Sequence, residues 1–126
     1  MPPTLLSGFL AAGCGSAGGD AALHVATRFY DAVAAHDGAR ACRYLAPQTR
    51  HELESSAGEP CARAVLAEDF PSVRGEGEVR RFGNQAAVKL SEDTVFLAEF
   101  NVGWRVVAAV CTPRGALPHD CQVKGV

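Results

Sequence analysis

The fold is decided by the stretch TVFLAEFNVGWRVVAAVC, residues 94–111. It contains two apolar runs, 94–100 and 104–111, separated by Asn101-Val102-Gly103, a connection with the length and composition of a hairpin loop. The second run is apolar on both faces, which predicts a central, covered strand. The stretch therefore predicts two antiparallel neighbours, and the residues that share a face are Phe96, Ala98 and Phe100 on the first strand and Trp104, Val106, Ala108 and Val110 on the second.

The same pattern extends toward the N-terminus. Apolar and polar residues also alternate over 73–82 and 86–90. Short connectors that are polar or contain glycine, 83–85 and 91–93, separate these runs. Connectors of about three residues between strands of this length favour a meander in which each strand pairs with the next. After residue 111 we expect a turn over 112–120 that returns the chain beside the last strand.

The first half of the chain has helical patterns. Apolar residues recur at helical spacing over 21–35, with Asp20 as the expected N-cap. Asp37-Gly38 closes this helix and caps a short helix over 39–45, and Pro47 is suited to the first turn of a third helix that runs to 56. A fourth short helix is expected over 61–67. Helices followed by an antiparallel sheet predict an α+β fold, in which N-terminal helices pack on a curved antiparallel sheet.

The N-terminus carries a different signal. Residues 5–13 form an apolar run without charged side chains that ends in Leu10-Ala11-Ala12-Gly13, directly before Cys14. Small residues before a cysteine are typical of a bacterial lipoprotein signal, in which the cysteine sulfur is acylated after cleavage. The run is about half of the roughly 20 residues that a membrane-spanning helix needs. We therefore predict a signal peptide over 1–13, lipid attachment at Cys14, a flexible tether over 14–19 and one domain over 20–126; the alternative is an Ala/Gly-rich terminus with a chance cysteine.

Composition limits the class of protein. The chain has 126 residues, 48% of them hydrophobic, and a formal charge of -2, which suits one small domain and excludes the basic stripe of a nucleic-acid binder. Apart from Cys14 there are four cysteines, an even number that suits an oxidising compartment. Three pairings are open; we favour Cys42 with Cys61 and Cys111 with Cys121, because each pair is close in sequence and flanks a connection that can fold back.

A family resemblance adds to this interpretation. The segment RFYDAVAAHDG, residues 28–38, followed by Ala41-Cys42 and Leu45-Ala46-Pro47, resembles the opening of NTF2-like (cystatin-type cone) domains. It is similar in particular to small actinobacterial lipoproteins of unknown function. The resemblance implies a cone with a pocket between helix and sheet, which is a binding site in some members and an isomerase or dehydratase site in others.

The expected pocket is aromatic. Its candidate residues are Tyr30, Tyr44, Phe96, Phe100 and Trp104, although in a small domain these side chains also serve simply to fill the core. No residue matches a catalytic motif of the family, and we predict no catalytic residue, no metal ligand and no cofactor. The histidines are scattered, and His119-Asp120-Cys121 with Cys111 lacks the ligand spacing of a structural zinc site.

These observations lead to one main functional hypothesis. It is an exported lipoprotein, held on the extracytoplasmic face of the cell membrane by acylated Cys14, whose domain binds a small ligand or an envelope protein without catalysis. A small-molecule isomerase or dehydratase on the same fold is the alternative, and a deep pocket with a buried carboxylate or histidine would favour it. A spacer without any pocket is the third.

Overall fold

A computed structural model of the protein describes residues 17–125. Its helices precede its strands, as the sequence predicts, and the predicted signal peptide, Cys14 and the start of the tether lie outside the described residues. The helices are α1 (Ala17–Ala34), α2 (Gly38–Arg43), α3 (Pro47–Ala57) and α4 (Cys61–Ala64), which continues as a 3-10 turn over Val65–Ala67. Within residues 17–125, none of the helices has the length and hydropathy to span a bilayer.

The start of α1 differs from the prediction. The helix begins at Ala17, so Asp20 lies in its first turn and is not the N-cap, and residues 17–19 of the predicted tether are helical. A carboxylate in the first turn still favours the helix, because it interacts with the positive end of the helix dipole. The predicted cap of α2 is confirmed, since the Asp37 side chain accepts a hydrogen bond from the Arg40 amide at 3.1 Å.

The short helices are linked covalently. A disulfide joins Cys42 of α2 to Cys61 of α4, and both cysteines are buried. Gly38, the first residue of α2, lies so close to α4 that a Cβ atom there would be 1.9 Å from the Ala62 carbonyl oxygen. The bridge and the glycine contact hold α2 against α4, so the helical half packs as one unit.

The sheet has five strands in the order β1-β2-β3-β4-β5, all antiparallel. Their bounds are β1 (Glu78–Phe82), β2 (Gln85–Lys89), β3 (Thr94–Phe100), β4 (Gly103–Arg114) and β5 (Leu117–Lys124). The meander is thus confirmed, and β4 lies inside the sheet between β3 and β5. Its pairing with β3 shifts register between Phe96 and Leu97, and such irregularities bend a strand.

Two strand predictions were wrong. The first strand begins at Glu78 and not at residue 73, so residues 73–77 run to the sheet as irregular chain. The predicted turn over 112–120 is instead the end of β4, a tight turn, and the first half of a fifth strand, β5. Cys111 and Cys121 are cross-strand neighbours in this pair and form the second disulfide. Gly115 lies in the tight turn, with φ of 63°. Pairing with β4 overrides the turn signal of Pro118 only, and proline is tolerated because β5 lies at the sheet edge.

The core lies between the helices and one face of the sheet. Its largest fully buried side chains include Phe29 of α1 and Val88, Val95, Leu97 and Val106 of the sheet. Burial of these apolar side chains supplies the main stabilisation of a domain of this size. On the opposite face of the sheet, the large side chains Phe82 and Phe100 are 64% and 40% exposed. The structure thus has one packed and one open sheet face.

Candidate functional site

A buried carboxylate connects the long helix to the sheet. Asp93 precedes β3, is 6% exposed, and accepts hydrogen bonds from the Tyr30 hydroxyl at 2.5 Å and from the amides of Val110 at 2.9 Å and Cys111 at 2.8 Å. Val110 has a left-handed backbone, with φ of 57°, which is rare for a β-branched residue. The carboxylate thus binds two consecutive amides where β4 is distorted, and it ties this point to α1.

The tyrosine in this network is held as a hydrogen-bond donor. Burial, and then the hydrogen bond to Asp93, raise the pKa of the Tyr30 hydroxyl far above its ordinary value of 10.0. All three hydrogen bonds to Asp93 come from groups with fixed positions in the fold. The arrangement is therefore suited to fixing geometry, because the proton of Tyr30 and the acceptor sites of Asp93 are already engaged.

The ring of Tyr30 belongs to a cluster of three aromatic side chains. Phe29, Tyr30 and Phe70 pack edge to face, with ring centroids 5.5 to 5.8 Å apart. This is the favoured arrangement for aromatic pairs. Phe70 lies in the irregular segment after the 3-10 turn, so the cluster fixes that segment against the C-terminal half of α1.

A cleft of about 450 Å³ opens between α1 and this segment. Tyr30 and Phe70 form part of its wall, Asp31 and Glu68 add carboxylates, and His36 lies in the turn after α1. The other lining residues are Val33, Ala34, Leu66, Pro71, Ser72 and Val73, so none of the lining residues is a lysine or arginine. The cleft combines apolar side chains with two carboxylates, and its surface is more polar than apolar.

The electrostatics of the cleft favour a cation. Partial burial, and then the neighbouring charge of Asp69, raise the pKa of the Glu68 carboxyl above its ordinary value. Both causes disfavour the ionised carboxylate, and a positive group in the cleft would offset both. Aromatic faces next to carboxylates are also a recurrent environment for organic cations.

The structure does not bring the five predicted pocket residues into one cavity. Tyr30 lines the cleft, but Phe96 and Phe100 line separate cavities on the open face of the sheet. Trp104 is 4% exposed and belongs to the core, and Tyr44 is half-buried against it. The separation follows from strand periodicity, because Phe96 and Phe100 alternate with the core residues Val95 and Leu97.

A charged side chain of β1 lies over the indole ring of Trp104. The guanidinium of Arg81 lies 5.5 Å from the centroid of the indole ring, in cation–π geometry. Arg81 also forms an ion pair with Glu99, with 3.7 Å between nitrogen and oxygen. Arg81 and Glu99 shield this end of the core, and Trp104 acts as a packing residue.

No protein-family model, curated protein or solved structure matches the chain. Residues 17–125 contain no group of three or more histidine, cysteine or acidic side chains placed to hold a metal ion. The cleft was not found from sequence, because Glu68 and Phe70 lie in an irregular segment between the helices and the strands. The only local signal was an acidic pair followed by an aromatic residue, Glu68-Asp69-Phe70, in a stretch without periodicity.

Proposed function

We propose that the protein is an exported lipoprotein, anchored through acylated Cys14 on the extracytoplasmic face of the cell membrane, with an NTF2-like domain that binds a ligand without catalysis. Two disulfides in a small domain support an oxidising compartment. The lipoprotein signal before Cys14 supports the anchor. The α+β fold, with helices on one face of an antiparallel sheet, agrees with the domain type.

The binding site that we propose is the cleft between α1 and the segment 66–73, and its ligand is a positively charged organic group. The observation that carries this proposal is the pair of carboxylates, Asp31 and Glu68, in a cleft that Phe70 also lines and that has no lysine or arginine among its lining residues. A primary or quaternary amine fits this chemistry, either as a small molecule or as the side chain of an envelope protein. Such a site binds and orients; the buried carboxylate of Asp93 is engaged by the fold.

Anchoring is tested by replacing Cys14. We expect Cys14→Ala to abolish acylation and to move the protein from the membrane fraction to the soluble fraction, because the thiol that carries the lipid is lost. Cell fractionation and intact-protein mass spectrometry measure both effects, with Ser16→Ala as the matched control. Membrane retention of the Cys14→Ala protein, together with a wild-type mass that contains no lipid, would contradict the anchor.

Binding is tested with simple probes of opposite charge. We expect butyltrimethylammonium to shift the NMR signals of residues around Tyr30 and Phe70, and butyrate to leave them unchanged. Glu68→Gln and Asp31→Asn should each lower the affinity for the cation about tenfold, about 1.4 kcal/mol of binding free energy, because each removes one carboxylate from the cleft. Glu92→Gln, an exposed change outside the cleft, is the control. Equal shifts with both probes, or with neither, would exclude the proposed ligand class.

A further inference from the structure

The open face of the sheet has a charge pattern that differs from the rest of the chain. Paired residues of neighbouring strands point to the same side of a sheet, so the strand register defines this face. We call it the outer face, and its cross-strand rows are Glu78-Lys89-Thr94, Arg80-Ala87-Phe96-Ala108-Lys124, Phe82-Gln85-Ala98-Arg105 and Phe100-Gly103. These rows contain four cations and one carboxylate, and the next exposed β4–β5 pair, Thr112 with Asp120, adds a second carboxylate, whereas the whole chain has a net charge of -2.

Apolar side chains fill the centre of the outer face. Three adjoining cavities lie along it: one of about 310 Å³ that includes Phe82 and Phe96, one of about 320 Å³ between Phe100 and the start of α3, and one of about 380 Å³ between Phe96 and Lys124. The first two share Val107, and the first and third share Phe96. The outer face is therefore a continuous apolar strip with phenylalanines in it and cations around it.

The positions of the cations are well suited to a flat anionic surface. Arg80, Lys89 and Lys124 are exposed; Arg80 and Lys124 lie at the two ends of the row that contains Phe96, and Lys89 lies in the adjoining row. Arg105 is half-buried and donates to the Trp104 carbonyl oxygen at 2.8 Å, so it contributes charge from a fixed position. Exposed aromatic rings between cations are characteristic of proteins that lie on the headgroups of anionic lipids.

The charge also argues against a second copy of the chain as the occupant. Two copies that met through this face would bring cationic surfaces together, and like charges across an interface are unfavourable. An anionic bilayer neutralises all four cations at once and takes up the phenylalanines at the same depth. Charge complementarity therefore selects an anionic occupant.

The short segment between Cys14 and the domain favours the membrane as the surface on which the domain docks. Two residues, Gly15 and Ser16, separate Cys14 from the start of α1, and an extended chain spans at most about 3.6 Å per residue. The start of α1 lies at the edge of the sheet, since a Cβ atom on Gly19 would be 3.6 Å from the Val79 side chain of β1. An acylated Cys14 would thus keep the bilayer within reach of strand β1, at the edge of the sheet.

We infer that the outer face of the sheet docks on the anionic lipid surface of the membrane to which the protein is anchored, which orients the cleft away from the bilayer. This inference rests on the proposed function for the identity of the membrane. Its test does not depend on acylation, because the face would bind anionic vesicles without the anchor.

The experiment uses the full chain with Cys14→Ser, which cannot be acylated because the thiol is absent, with both disulfides formed, in a sedimentation assay with vesicles. We expect binding to vesicles of phosphatidylglycerol mixed with phosphatidylcholine and little binding to phosphatidylcholine alone. The triple variant Arg80→Gln, Lys89→Gln, Lys124→Gln should lose about 100-fold in vesicle affinity, since each cation near an anionic surface contributes about fivefold. A second variant, Phe82→Ser, should weaken the binding that persists at high salt.

The matched control removes the same charge from exposed positions on the helices, with Arg28→Gln, Arg43→Gln and Arg63→Gln. Its vesicle affinity should fall far less than that of the outer-face variant. Equal losses in the two triple variants would overturn the inference, and so would absence of binding to phosphatidylglycerol vesicles. A concentration-dependent dimer that Phe82→Ser abolishes would assign the face to a second copy, also against the inference. If the wild-type protein is not in the membrane fraction of cells but the Cys14→Ser protein still binds the anionic vesicles, the proposed lipid anchor is refuted and the inference about the outer face is supported.

Discussion

Replacing Asp93 by alanine is expected to lower the free energy of unfolding by about 4 kcal/mol, because the change leaves three donors without a partner in the protein interior. These donors are the Tyr30 hydroxyl and the amides of Val110 and Cys111. Asp93→Asn should also be strongly destabilising, since its amide nitrogen cannot accept a hydrogen bond and only one oxygen remains. Urea unfolding of the oxidised protein measures the loss.

The control for this prediction is the adjacent residue. Glu92 is exposed in the same turn, and Glu92→Ala should change the free energy of unfolding by less than about 0.5 kcal/mol. In a double-mutant cycle, Tyr30→Phe and Asp93→Ala should show a coupling energy of about 2 kcal/mol, because both remove the same hydrogen bond. Additive effects of the two substitutions would show that the pair does not stabilise the fold.

The tyrosine gives the same pair a pH signature. The folded protein keeps the Tyr30 proton above pH 10.0, the ordinary pKa, whereas the unfolded chain loses it there. The contribution of the protonated Tyr30 hydroxyl to the free energy of unfolding is thus complete below that pH. It declines as the pH rises further, by about 1.4 kcal/mol per pH unit. Tyr30→Phe should remove this part of the alkaline destabilisation.

The second large effect is expected at Gly38. Gly38→Ala should destabilise the protein by about 3 kcal/mol or more, because the new Cβ atom would lie 1.9 Å from the backbone oxygen of Ala62. The backbone of α2 or α4 would have to move, and the Cys42–Cys61 disulfide restricts that movement. Thermal unfolding measures the effect.

Two further variants identify the cause. Gly19→Ala, in α1, adds a methyl group in ordinary contact with Val79 and should be neutral or slightly stabilising, since alanine favours a helix. Adding Ala62→Gly to Gly38→Ala should not restore stability, because the clash is with a carbonyl oxygen and not with a side chain. Restoration by the second substitution, or a wild-type melting temperature for Gly38→Ala, would be inconsistent with the close helix contact.

Most of the fold followed from local patterns. Helical spacing located α1 to α4 within a few residues, and the period of two located β2, β3 and most of β4. The strand β5 was missed because Pro118, His119 and Asp120 have low strand preference, and only pairing with β4 makes them extended. The residues 73–77 were assigned to a strand because alternation alone does not show whether a partner strand is present.

The candidate site was harder to predict. Of the five expected pocket residues, only Tyr30 lines the cleft, because the sequence shows that aromatic residues alternate along β3 but not which face the helices will cover. From the sequence, Asp93 was assigned to the connector Ser91-Glu92-Asp93, because its immediate neighbours are polar. Its partner Tyr30 is 63 positions earlier in the chain, a separation that no local pattern can reveal.

By itself, then, the sequence predicted the order of helices and most strands, the meander and the favoured cysteine pairs, because each depends on residues that are close along the chain. The lipoprotein signal before Cys14 stays a prediction. Only the tertiary structure decided that Asp93 is a buried acceptor, that Asp31 and Glu68 share a cleft, and that cations surround the phenylalanines of the outer face. These features join distant segments, and their energies arise from burial and from the distances between charges, which exist only once the helices have covered one face of the sheet.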